Sequence, residues 1–190
     1  MMVDVVVKVG GSLLAHPGTL DAVLRALGEA AREHRMLLVP GGGPFADLVR
    51  AVDRQLALGD DCAHWMAVLG MDQYAHVIAS RLAESAVVDE PADIDAVTTS
   101  GRLAVLAPSR WLRQADPLPH CWDVTSDSIA AWVAGAVAAT RLVLVKPPGA
   151  SGRAAVDAYF DRALPAGVDA VIVAADQMAT LGSALRFHEP

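Results

Sequence analysis

The stretch VVVKVGGSLL, residues 5–14, decides how the rest of the chain is read. Its first half is β-branched and almost continuously apolar, the composition of a strand covered on both faces in an α/β protein. Lys8 interrupts that run, and Gly10, Gly11 and Ser12 follow at once. Glycines let the backbone approach a ligand with no Cβ in the way, and successive N–H groups in such a turn form a nest for an anion. A lysine two residues before the first glycine extends toward the same strand end and places a cation on a phosphate. The plainer reading of a strand lysine is edge protection against pairing with another chain.

Outward from this stretch the pattern alternates. A strand over 3–9 is followed by an amphipathic helix over 19–34, with Thr19 as its N-cap and Leu20, Val23, Leu24, Leu27 and Ala31 as its packed stripe. MLLVPGGG reads as a second strand ending in Gly41, Gly42 and Gly43, and Pro44 then opens a helix. A long helix spans 60–83, with Trp65, Met66 and Leu69 in the core. Residues 85–89 form a strand and 91–102 a loop or hairpin. RLAVLAPS is a strand, WLRQADPLPHCW irregular, and TSDSIAAWVAGAVAA a helix capped by Thr125 or Ser126. RLVLVKPPGASG runs from strand into loop, 153–164 is helical, and DAVIVAAD is a last strand. Helix-sized crossovers between strands imply a mainly parallel sheet with helices on both faces, in one domain over 1–190.

Composition narrows the function. Of 190 residues, 54% are hydrophobic and 19% charged, enough for a large core. A net charge of -7 argues against a nucleic-acid binder, which needs clustered cations, but leaves room for a local basic pocket. Cys62 and Cys121 stand far apart with no ligand spacing around them, so no metal site is expected. No secretory core and no membrane-length apolar run are visible, and a cytoplasmic protein is expected.

In open α/β sheets ligands bind beyond the C-terminal strand ends. KVGGS, PGGGP, the Ser109–Arg110 pair and KPPG, which carries Lys146, all fall at such ends. Neither GxxxxGK[ST] nor GxGxxG with a following acidic residue is present. In DVTSDSIA, Asp127 lies in a first helical turn, where it can hold a lysine, help hold Mg²⁺, or complement the helix dipole. His64, early in the long helix, suits either a hydrogen bond to a substrate phosphate or a packing role, and His16 is a weaker candidate for the same pocket. Trp111 and Trp132 read as packing, while Trp122 beside DVTSD is a candidate lining of the substrate site.

VVVKVGGSLL, LLVPGGGPFADLVR, HWMAVLGMDQYA and DVTSDSIAAWVA together resemble the amino acid kinase family, the carbamate kinase-like three-layer α/β/α sandwich. PLPHCWDVTSDSIAAWVA and VDAYFDRAL carry a narrower likeness to the short kinases of methanofuran biosynthesis, which phosphorylate an aminomethylfuran-methyl phosphate in one-carbon metabolism. The resemblance implies an ATP- and Mg²⁺-dependent phosphotransferase with a small phosphorylated substrate, working as a homodimer or higher homo-oligomer. It assigns Lys8 and Asp127 to catalysis. It places Gly10 and Gly11 at the phosphate, Gly41, Gly42 and Gly43 in the second glycine loop and His64 on the acceptor's phosphate. By their positions beside these segments, and not by the resemblance, Ser12 and Lys146 are candidates for phosphate or nucleotide binding and Trp122 and Ser126 for the acceptor side. Relatives carry a TDVDG-like stretch and a later lysine, where this chain has VKPPGASG and no lysine after Lys146. That departure implies a shortened C-terminal nucleotide lobe. It also opens a second reading, a non-catalytic binding or assembly subunit that has lost ATP handling.

Overall fold

The computed structural model describes residues 3–150 and 152–186. β1 (Val5–Val9) leads through a 3-10 turn (Gly11–Ala15) into α1 (Pro17–Ala30) and β2 (Met36–Pro40). α2 (Gly43–Leu56) and α3 (Asp60–Ser80) precede β3 (Ser85–Val88), α4 (Pro91–Thr99) and β4 (Leu103–Leu106). α5 (Ser109–Ala115) and α6 (Ser126–Ala136) lead to β5 (Arg141–Lys146). A 3-10 turn (Arg153–Ala155), α7 (Phe160–Ala163), β6 (Asp169–Ala174) and α8 (Met178–Leu185) follow.

The six strands form one sheet in the order β3-β4-β2-β1-β5-β6, and every pairing is parallel. β1 is therefore central, and edge protection does not account for Lys8. Side chains alternate across the sheet. Val5, Val7 and Val9 pack with Leu24, Tyr74 and Leu181 on one face; Val6, Leu37 and Leu144 pack with Ile94, Trp111 and Ile129 on the other. The result is three layers, helices over both faces of the sheet. α3 serves both cores, sending Val68 and Met71 into one and Ala75 and Ile78 into the other.

Several local expectations are corrected. Residues 91–99 are helix rather than hairpin, because Pro91 takes the first helical position, where a missing N–H costs nothing. WLRQADPLPHCW is not wholly irregular: α5 extends into it as far as Ala115 and stops at Asp116, whose φ of 41° ends the helix. α1 begins at Pro17 with His16, not Thr19, at the cap. Residues 153–164 are two short turns rather than one helix, and α8 follows the last strand. Leu69 is 44% exposed instead of core, since it lies on the outer side of α3. The expected α1 stripe is buried throughout, and Trp111 packs on Trp132 with ring centroids 5.0 Å apart.

Candidate active site

The chain leaves β1 toward β2 on one side and returns later to pair β5 on the other. Such a reversal opens a crevice at the C-terminal strand ends. The ladder runs on into the loops there: Gly10 N–H donates to the Val145 carbonyl (2.9 Å) and Gly41 N–H to that of Val9 (2.8 Å). The two glycine loops then meet. A Cβ on Gly11 would stand 2.1 Å from the Gly43 nitrogen, and Gly43 has φ of +52°, so both positions require glycine. The Tyr74 hydroxyl, on buried α3, donates to the Gly10 carbonyl at 3.4 Å behind them.

Lys8 and Lys146 are the only lysines of the chain. Lys8 pairs in register with Leu144 of β5, two residues before Lys146, so both lysines stand on the same side of the pleat. That side is covered by α6, whose first turn carries Asp127. The Lys8 ammonium lies 2.9 Å from Asp127 Oδ1, facing it without good hydrogen-bond geometry, and Lys146 Nζ donates to Oδ2 at 2.5 Å. All three residues are 3–6% exposed. Burial opposes ionisation of Asp127, but the two ammonium groups outweigh it and hold the carboxyl below the usual carboxylate range. Burial first, and the charge of Lys8 second, lower the pKa of Lys146, against the pull of Asp127. Two cations on one carboxylate leave a net positive charge facing the crevice. A buried uncompensated charge is costly, so this arrangement favours an anion beside it.

The crevice widens into a cavity of about 300 Å³. Lys8, Asp127 and Lys146 form its floor with Gly11, Ser12, Gly42 and Gly43. Ala46, Ala63, Ala67 and Ile129 form an apolar wall, and His64, Trp122, Ser126 and Arg50 line the rest. Of the residues singled out from sequence, Gly10 and Gly41 stand behind the lining and support it. His16 is exposed outside the cavity. The Ser109–Arg110 pair does not join the site, because Ser109 N–H bonds Asp72 and Arg110 pairs with Asp89 and Glu90 near β3.

The mouth of the cavity is held by side-chain contacts. His64 stacks on His120 (centroids 4.1 Å, 16°), with Trp65 edge-on to both. His120 sits between Asp61 (2.6 Å) and Asp116 (2.9 Å). Burial lowers the His64 pKa to about 4, with His120 adding to the effect, so its imidazole is neutral near pH 7. Burial opposes protonation of His120, but its two aspartates prevail and raise its pKa. The Trp122 indole N–H donates to Asp53 (2.8 Å), and the Arg50 guanidinium lies 4.7 Å over the Trp122 ring. Arg50, His120 and Asp157, which fastens the start of α6, were not singled out from the sequence. Arg50 had a signal: it is four residues beyond Ala46 on a helix that starts at a glycine loop. His120 meets partners up to 59 residues away and had none.

Residues 5–147, which contain Lys8, both glycine loops, Asp127 and Lys146, match the amino acid kinase family. A [5-(aminomethyl)furan-3-yl]methyl phosphate kinase from Methanocaldococcus jannaschii is 33% identical over 132 residues, covering 67% of this chain and 58% of that protein. The chain thus spans well under two thirds of that relative's length. Among solved structures, uridylate kinase from Archaeoglobus fulgidus superposes with a TM-score of 0.59 at 17% identity, over 75% of this chain and 62% of that one. UMP kinase from Ureaplasma parvum gives 0.60 at 14% identity, over 80% and 72%. At these identities the structural likeness establishes the three-layer fold.

Proposed function

The chain belongs to the amino acid kinase family, and from that premise we propose that it transfers the γ-phosphoryl group of ATP to [5-(aminomethyl)furan-3-yl]methyl phosphate or a close analogue, forming a diphosphate. The observation that carries this reading is the pairing of Lys8 and Lys146 on Asp127 at the floor of a cavity walled by two glycine loops. The named relative supplies the acceptor class.

Phosphoryl transfer needs positioning and charge compensation more than covalent chemistry. In this reading Lys8 and Lys146 neutralise the transferring group from two adjacent strands. Asp127 holds both, and the amides of Gly11 and Gly43 with the Ser12 hydroxyl complete the cradle. The acceptor is itself a phosphate, already anionic near neutral pH, so no general base is required. Neutral His64 donates to the acceptor's own phosphate, while the Ala63–Ala67 wall and Trp122 take the ring and Ser126 closes the side nearest α6.

Mg²⁺ fits as an ion carried by the nucleotide. Among the described residues no group of three His, Cys, Asp or Glu side chains could hold a metal, and the Asp127 carboxylate is committed to two ammonium groups. Phosphate oxygens and water are the usual Mg²⁺ ligands in such sites. In this reading Lys146, beside Lys8 on Asp127, takes the place of the absent later lysine. We also assign the chain to the cytoplasm and to a homodimer or higher homo-oligomer. The exposed Leu48 and Leu56 of α2 and Leu69 of α3 suit the latter, and no described helix is long and apolar enough to cross a membrane.

The test is ADP release with ATP–Mg²⁺ over a panel of small phosphates and their unphosphorylated alcohols. The expected result is turnover with the aminomethylfuran-methyl phosphate and none with the matching alcohol. Release that is independent of any phosphorylated acceptor rejects the reading.

A further inference from the structure

Asp157 lies in the segment that follows β5, yet its carboxylate is spent on α6. Oδ2 accepts from the Thr125 amide (2.9 Å), the Thr125 hydroxyl (2.7 Å) and the Ser128 amide (3.0 Å). Oδ1 accepts from the Ser128 hydroxyl (2.5 Å) and the Tyr159 amide (3.2 Å). The Tyr159 amide also reaches the Asp123 carbonyl at 3.3 Å, closing the contact from the other side. A carboxylate has about four lone-pair sites, so this one is fully occupied.

Helix starts leave amides without partners, and a local side chain normally takes one of them. Thr125 does so weakly, accepting from the Asp127 amide at 3.4 Å. The stronger hold comes from a residue 29 to 32 positions later. Its effect is to join the two segments that meet at the cavity floor: the helix turn bearing Asp127 and the chain leaving Lys146. We propose that Asp157 is a positioning residue for phosphoryl transfer, tying the first turn of α6 to the segment behind β5 and so fixing Asp127 between the two lysines. This rests on the phosphotransfer reading above.

A helix cap alone would need no charge. The charge has a second consequence here. The groups facing Lys146 are Lys8 from β1, Asp127 from α6 and Asp157 from its own loop, and both carboxylates favour its protonated form. Asp157 thus adds a negative charge behind the cavity that supports the ammonium form of Lys146, while the face turned to the crevice keeps two ammonium groups on one carboxylate.

The chain's two lysines make the test direct, because lysine-labelled protein gives only two side-chain NMR titrations, assigned with Lys8→Arg. Asp157→Ala is expected to lower kcat about 10- to 100-fold, the scale of small misplacements of reacting groups. The acceptor KM should stay within about threefold, since His64, Trp122 and Arg50 keep their own contacts. Lys146 should titrate at lower pH in Asp157→Ala and in Asp157→Asn alike. Asp157→Asn keeps an acceptor oxygen and should recover part of kcat while the titration stays shifted. A kcat for Asp157→Ala near that of the wild type, or an unmoved Lys146 titration in a folded variant, overturns the inference. Should the alanine variant not fold, the asparagine variant carries both readouts. Wild-type protein with no turnover overturns the phosphotransfer reading itself, and this inference with it.

Discussion

The floor and the mouth of the cavity are built on different principles. At the floor, Lys8 and Lys146 stand on neighbouring strands of a parallel ladder and Asp127 on a buried helix turn, none more than 6% exposed. Their spacing is set by backbone hydrogen bonds that cannot shift without breaking the sheet. At the mouth, His64 comes from the start of α3, Arg50 from the middle of α2, and His120 and Trp122 from a loop, and each is placed by another side chain. Under the proposed phosphotransfer, the rigid part is the one that serves the transferring group, and the part held by side chains is the one that receives the acceptor. Damage at the floor should therefore appear in kcat and damage at the mouth in KM.

The sharpest way to break this division is Lys8→Ala. Loss of one preorganised donor to a developing charge costs about 10²- to 10³-fold in turnover. Asp127 keeps Lys146 as its partner, so no buried charge is left bare and the fold should survive. Steady-state kinetics with a circular-dichroism control measures both. Wild-type turnover in a folded Lys8→Ala variant removes the floor from the mechanism.

The same division explains what the sequence discloses. Lys8 is legible because it breaks an apolar run, and the glycines because they cluster at strand ends. The α/β class follows from the alternation of elements. Strand order is not legible, and with it goes the central fact that Lys8 and Lys146 share one carboxylate. Pro91 suggests a loop because the same residue serves turns and helix starts, and Pro117 and Pro119 obscure α5 although they lie beyond its end. His120 and Asp157 act on residues far away in sequence, through contacts that exist only once the chain has folded.

A smaller effect is expected at the mouth. Under the proposed function, His64→Ala should remove one hydrogen bond to a charged acceptor, about 1.5–3 kcal/mol, or roughly 10- to 150-fold in acceptor KM, with kcat nearly retained. Equal loss in kcat and kcat/KM would instead place His64 among the groups that act only in the transition state, and the contrast between floor and mouth would fail at that residue.

The smallest effect sharpens the contrast most, because it concerns a residue outside the cavity lining. His120 lies against His64, and its charge is one cause of the low His64 pKa, second to burial. Both rings form the same stack, so His120→Ala takes away a like charge while leaving His64 on α3. Burial persists, which keeps the His64 pKa below the ordinary 6.5. The loss of His120 relieves repulsion and leaves Asp61 and Asp116 without their cation, and both changes favour protonated His64. The midpoint should therefore rise from about 4 toward that ordinary value without reaching it. Proton NMR of the imidazole signals, assigned with His64→Gln, follows it directly. Turnover near pH 7 should change little, since His64 stays mostly neutral there. A midpoint that does not move would mean that burial alone sets His64, and that the ring stack is packing with no electrostatic part in the mouth.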